Sequence, residues 1–219
     1  MLTDTYFDFF AELEHNNTKV WFDANRTTYE KYVREPFRAL TAALIARIQE
    51  IEPRLQVEPR DAMFRINRDI RFSKDKSPYK TAMGAHISRF GRKTVGMPGF
   101  YIEVGARAGA VAGGSYQPER QQLDCIRDLL MHDRAKVHAA LSEPSFVKHF
   151  GSIRGDVAKT VPKEFAEAAR SEPLMYNKQF YWWGDVPRSV FTSKKCIDRL
   201  MEYYHAALPL QMILEEVLE

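Results

Sequence analysis

The sequence predicts an α+β protein. A central antiparallel sheet covers about residues 57–117 and gains a strand near 178–185, and helices from the N- and C-terminal parts of the chain pack on it. Three observations carry this expectation. Apolar residues from Tyr29 to Leu55 recur at spacings of three and four, the period of a helix with one buried face. Between 64 and 72 they alternate with polar residues, the period of a strand. No helix-length segment separates the strand-like runs that follow, so a meander fits better than βαβ units.

Taken in order, Thr3 or Asp4 caps a short helix over Tyr6 to Leu13, and Asn16 with Asn17 ends it. The long stripe Tyr29, Val33, Phe37, Leu40, Leu44, Ile48, Ile51, Leu55 follows. Pro36 kinks it or opens a second helix, and Pro53 marks its end. In the next zone Phe64, Ile66, Ile70 and Phe72 share one parity with Arg68 as the exception, which a bulge would accommodate. Met83 to Phe90 and Phe100 to Val104 read as further strands, with Gly91, Gly96, Pro98 and Gly99 in turns. GARAGAVAGGSY predicts a turn near Gly109 and a short strand after it. Pro118 and Glu119 open a helix that buries Leu123, Ile126, Leu129 and Leu130. Short helices follow around 133–142 and 144–150. KQFYWWGD is the extra strand. Ser193 caps a last helix that Pro209 breaks or restarts before Leu218.

Nothing low in complexity divides the 219 residues, so a single domain over 1–219 is expected. An apolar fraction of 45% is too high for disorder. The two cysteines, Cys125 and Cys196, are far apart and in no CxxC pair, which excludes a disulfide framework and points to a reducing compartment. No cationic leader precedes an apolar run and no stretch is long enough to span a bilayer. A soluble, cytoplasmic protein without a membrane partner is the expectation.

Charge singles out one segment. RINRDIRFSKDKSPYKT, residues 65–81, holds six cations against two carboxylates, a balance of +4 in a chain whose total is +3. The remainder of the protein therefore carries −1. On a strand Arg65, Asn67, Asp69 and Arg71 project to one side. Arginine offers a planar donor fork suited to phosphate or carboxylate, and Asp69 between two arginines can orient them. The loop beyond adds Lys74, Asp75, Lys76 and Lys80 and the phenol of Tyr79, stiffened by Pro78. The competing reading is a structural network of ion pairs, which also clusters charge.

Other signals carry less. FGRKT at 90–94 ends like a phosphate-binding loop but lacks its first glycine and a following helix. The glycines after 105 lack the GxGxxG spacing. The six histidines show no ligand pattern, so no metal is assigned and the cofactor is left unknown. No GxSxG elbow is present. Trp21, Phe22 and Tyr181 to Trp183 read as packing residues.

HNNTKVWFDANRTTYEKYVREPF, FRINRDIRFSKDKSPYKTAMGAHI, GFYIEV and GGSYQP together resemble the family catalogued as domain of unknown function 2461. The second block is long and specific, and the resemblance runs to LMEYYHAALPLQMILEE near the C-terminus. The family pattern favours a further glycine where this chain has Ala112. The resemblance implies one full-length domain of microbial type, with Arg65 to Lys80 as its signature segment. It implies no reaction, cofactor or catalytic residue.

Three functions compete. In the first, Arg65, Arg68, Arg71, Lys74, Lys76 and Lys80 bind an anionic, phosphate-bearing ligand, Asn67 and Asp69 orient them, and Tyr79 closes over it. Phosphoester hydrolysis with Asp69 or Asp75 as base is its enzymatic form. In the second, the segment is a non-enzymatic nucleic-acid module with Phe64, Phe72, Tyr79 and Phe90 as stacking rings. In the third, the charge cluster is scaffold for a structural or partner-binding protein.

Overall fold

The computed structural model describes residues 1–219. The chain opens with α1 (Asp4–His15) and α2 (Lys19–Ala24), then α3 (Arg26–Thr28), a π turn over Tyr29–Arg34 and α4 (Glu35–Gln49). A short α5 (Pro59–Ala62) precedes β1 (Ala82–Ile87), β2 (Phe100–Gly105) and β3 (Ala108–Ser115). Next come α6 (Arg120–Ser142) and α7 (Pro144–Phe150), then β4 (Phe180–Pro187), α8 (Arg188–Thr192) and α9 (Cys196–Leu218). The four strands form one open antiparallel sheet in the order β1-β2-β3-β4. The α+β class and the meander are as the sequence predicts. No helix is long and apolar enough to cross a membrane.

Packing divides the chain into two compact units. One comprises Met1–Arg92, Tyr101–Val111 and Asp185–Met201; the other comprises Lys93–Phe100, Ala112–Gly184 and Glu202–Glu219.

In the first unit the predicted stripe is buried from Tyr29 to Ile48, and Leu55 joins it, while Ile51 past the helix end is exposed. Pro36 does not interrupt the stripe because the π turn delivers it to the first turn of α4, where no amide donor is needed. Phe7, Phe10 and Leu13 of α1 are fully buried. Tyr6 joins them and its hydroxyl donates to the Val104 carbonyl at 3.0 Å. Phe22 stacks on Tyr79 at 4.0 Å between ring centres, nearly parallel. The tight β2–β3 turn falls at Ala106 and Arg107, not at Gly109. Gly109 lies inside β3, where a Cβ would stand 2.5 Å from the Glu103 carbonyl and 2.6 Å from the Phe191 ring.

The expected strand over 64–72 is not there. The segment runs antiparallel to 78–85 through isolated pairings only, Met63 with Ala85 and Asn67 with Tyr79. Backbone bonds join Phe64 to Gly84, Lys80 to Ile66 and Arg68 to Pro78, all between 2.8 and 2.9 Å. Pro78 has no amide to return a bond. Beyond Arg68, side chains take over: the Asp69 carboxylate accepts from the Arg71 amide and Asp75 from the Ser77 amide at 2.9 Å. These local turns compete with a ladder and win. The alternation breaks with the strand, leaving Phe72 95% exposed.

In the second unit Glu119 and Gln122 form a reciprocal capping box at the start of α6, and Asp133 breaks the helical geometry midway. Ile126 and Leu130 are buried; Leu123 and Leu129 are half-buried. Trp182 is enclosed by the Phe146 and Phe150 rings. Gly114, at φ +92, lies so close to the Phe180 carbonyl that a Cβ would stand 2.3 Å from it. In α9, Pro209 sits inside a continuous helix and neither breaks nor opens one.

Candidate functional site

The charged segment is anchored before it is charged. The Tyr79 amide donates to the Asn17 side chain at 3.1 Å, and the Asn17 amide nitrogen returns a bond to the Tyr79 carbonyl at 2.9 Å. With its ring stacked on Phe22, Tyr79 is buried packing and not the mobile cover that the sequence suggests. From this anchor the segment divides its side chains among three places.

Part of the charge is spent internally. Arg68 is half-buried and pairs with Asp75. Arg71 grips Asp69 through two guanidinium nitrogens, at 3.0 and 2.6 Å. The Arg71 guanidinium holds Asp69 down at about 2, and Arg68 with Ser77 holds Asp75 far below the ordinary carboxylate range. Lys76 donates to the Ile70 carbonyl at 2.9 Å, and Lys74 stands exposed on the same loop. To this extent the ion-pair reading describes the segment.

Two clefts take the rest. One of about 600 Å³ is lined by Arg68, Asp75, Tyr79 and Lys80 together with Tyr101 and Glu103. The other, of about 380 Å³, receives Arg65 and Asn67 from the predicted face. Facing them are Arg26, Arg34, Arg38, Arg60 and Arg92, so six guanidiniums line it against a single carboxylate, Glu30. Phe22, Tyr29 and Tyr79 supply its aromatic wall.

The arginines of this second cleft are held in place. On the α3–α4 helical run Arg26, Arg34 and Arg38 lie eight and four residues apart, one helical face. Arg26 pairs with Asp23 at 2.5 Å, Arg34 with Glu30 at 2.7 Å and Arg38 with Glu35 at 2.7 Å. Arg92 donates to the Arg60 and Asp61 carbonyls at 2.8 and 2.7 Å. Arg65 alone among the six has neither an ion pair nor a hydrogen bond to a carbonyl. An array of oriented donor forks with one unpaired member is suited to a multiply charged oxyanion.

Five of these six arginines were absent from the residues singled out in the sequence. The 26, 34, 38 spacing was visible, but each lies three or four residues from a carboxylate and reads as a solvated helix face. Arg60 reaches the cleft from the short helix α5 and Arg92 from the turn after β1, and no periodicity connects either to the α3–α4 run. The FGRKT stretch contributes Arg92 through its side chain and has no helix after it. No group of three or more His, Cys, Asp or Glu side chains is placed to hold a metal ion. Both cysteines are free, and burial pushes the Cys196 thiol up to about 11.

No curated protein and no solved structure matches the chain. A family model does, over residues 5–212 of the 219, and the chain therefore belongs to the conserved hypothetical proteins of family DUF2461.

Proposed function

We propose that this protein binds an anionic, phosphate-bearing ligand in the arginine-lined cleft. One observation carries the reading: six arginines from separate segments meet around about 380 Å³ with one carboxylate among them. Asp23, Glu30, Glu35 and Asp61 already pair with Arg26, Arg34, Arg38 and Arg60 and hold their forks in place, while Arg65 has no carboxylate partner and is left for a bound anion to complete. Phosphoester hydrolysis, the enzymatic form, is poorly served by Asp69 and Asp75. Each is tied to an arginine and ionised far below neutral pH, which makes it a weak proton acceptor.

The test is calorimetric titration and thermal shift with inorganic phosphate, pyrophosphate and nucleoside phosphates. A phosphate-bearing ligand should raise Tm. Arg65→Ala should weaken binding about tenfold or more while leaving the unliganded Tm unchanged, since that side chain supports nothing else. Arg68→Ala should lower Tm and keep the ligand-induced rise. If no phosphate compound shifts Tm, the reading fails.

A second reading, a nucleic-acid module, has its own observation. Phe72 is 95% exposed, with the Arg71 guanidinium 5.9 Å from its ring and Lys74 and Lys76 on the same loop. An unpacked ring among cations can stack on a base. It requires oligonucleotide affinity that falls steeply with salt and is lost in Phe72→Ala.

A further inference from the structure

The 600 Å³ cleft holds an amine that the anion reading does not use well. The backbone of Lys80 is fixed by a hydrogen bond from its N–H to the Ile66 carbonyl at 2.8 Å. Its side chain is half-buried, and Nζ lies 5.0 Å from the centre of the Phe64 ring. No carboxylate pairs with it, in contrast to Lys19 with Asp23 and Lys136 with Glu216. Burial, and then the charge of Arg65, push this amine below the ordinary lysine range, with Glu103 opposing. A lysine so placed makes a poor anion anchor, and a lowered pKa gives it a larger share of the neutral amine that carries the reactive lone pair than an exposed lysine has.

Beside it in the same cleft is a phenol–carboxylate pair. Tyr101 donates to the Glu103 carboxylate at 2.6 Å, and its ring lies 6.3 Å from that of Phe64, the ring under the Lys80 amine. Such a pair can hand a proton out and take one back. Amine, proton relay and an open volume of this size match the requirements of one reaction class, reversible addition to a carbonyl.

We propose that Lys80 is an imine-forming amine and that this cleft takes a small aldehyde or ketone, with Tyr101 and Glu103 as its proton relay. The Nζ lone pair adds to the carbonyl carbon. The carbonyl oxygen gains a proton as the nitrogen loses one, giving a carbinolamine. A second proton on that hydroxyl releases it as water while the nitrogen lone pair forms the C=N bond. The nitrogen then loses its remaining proton to the relay, which restores the one spent on the hydroxyl; amine and carbonyl thus become imine and water, and no oxidant or reductant is required. The inference concerns the other cleft and stands whether or not the arginine cleft binds phosphate.

The experiment is reductive alkylation of the intact protein with propanal and cyanoborohydride at pH 7, read lysine by lysine in peptide mass spectra. Propanal is neutral, so anion binding plays no part. Lys80 should alkylate about tenfold or more faster than Lys19 and Lys31, both of which are held protonated by their neighbours. Its rate should saturate with propanal concentration, whereas theirs should rise linearly. In Tyr101→Phe the Lys80 rate should fall with Tm and the Lys19 rate unchanged. A Lys80 rate no greater than that of Lys19, or linear in propanal, overturns the site. A Lys80 rate unaffected in Tyr101→Phe overturns the relay.

Discussion

His86 shows how far a single side chain in this protein is governed by its surroundings. It lies in β1 at 7% exposure, and burial lowers its pKa against a smaller opposing contribution from the Arg92 backbone. The folded chain therefore resists protonating it, while the unfolded chain binds a proton below about 6.5. Stability attached to His86 is complete above that value and is lost as pH falls through the lowered folded pKa. Thermal melts between pH 7.5 and 5 should show Tm falling with acid, and His86→Gln should flatten that slope. An equal slope in both proteins would mean that other groups carry it. Asp69 follows the same sign at lower pH. Its carboxyl should titrate near 2 by NMR, although its exposure to solvent leaves little stability attached to it.

At the scale of elements, legibility followed the length of the repeat. The helical stripe spans Tyr29 to Ile48, long enough that the π turn and Pro36 shift it without erasing it. The alternation at 64–72 spans few residues, and three short-range effects outweighed it: the missing Pro78 amide, the Asp69 turn and the Asp75 turn. Asp, Ser and Pro in SKDKSP are turn formers, so the loss of pairing beyond Arg68 was readable in principle. Pro209 is the reverse case. It sits exposed inside α9 and denies the His205 carbonyl its helical partner. Because Pro209 is exposed, Pro209→Ala should stabilise the protein by about 1–3 kcal/mol in urea unfolding. A loss of stability would mean that the local bend is needed for packing.

At the scale of the whole molecule, the core sets the stability and charge placement sets the candidate function. Trp182 is 1% exposed against Phe146 and Phe150. Trp182→Ala should cost about 3–5 kcal/mol, measured by denaturant unfolding, since neighbouring rings cannot collapse into so large a cavity. A total charge of +3 conceals an uneven distribution. Sequence alone determined the α+β class, the long helical stripe and the location of excess charge in 65–81, because each is a local property of composition or period. Only the tertiary structure decided which of those charges neutralise each other and which remain available. It turned Arg68 and Arg71 onto Asp75 and Asp69, and it brought Arg65 against Arg26, Arg34, Arg38, Arg60 and Arg92. Periodicity reports which side of its own element a residue faces. It carries no information about which distant element arrives on that side, and a cleft is made by that arrival.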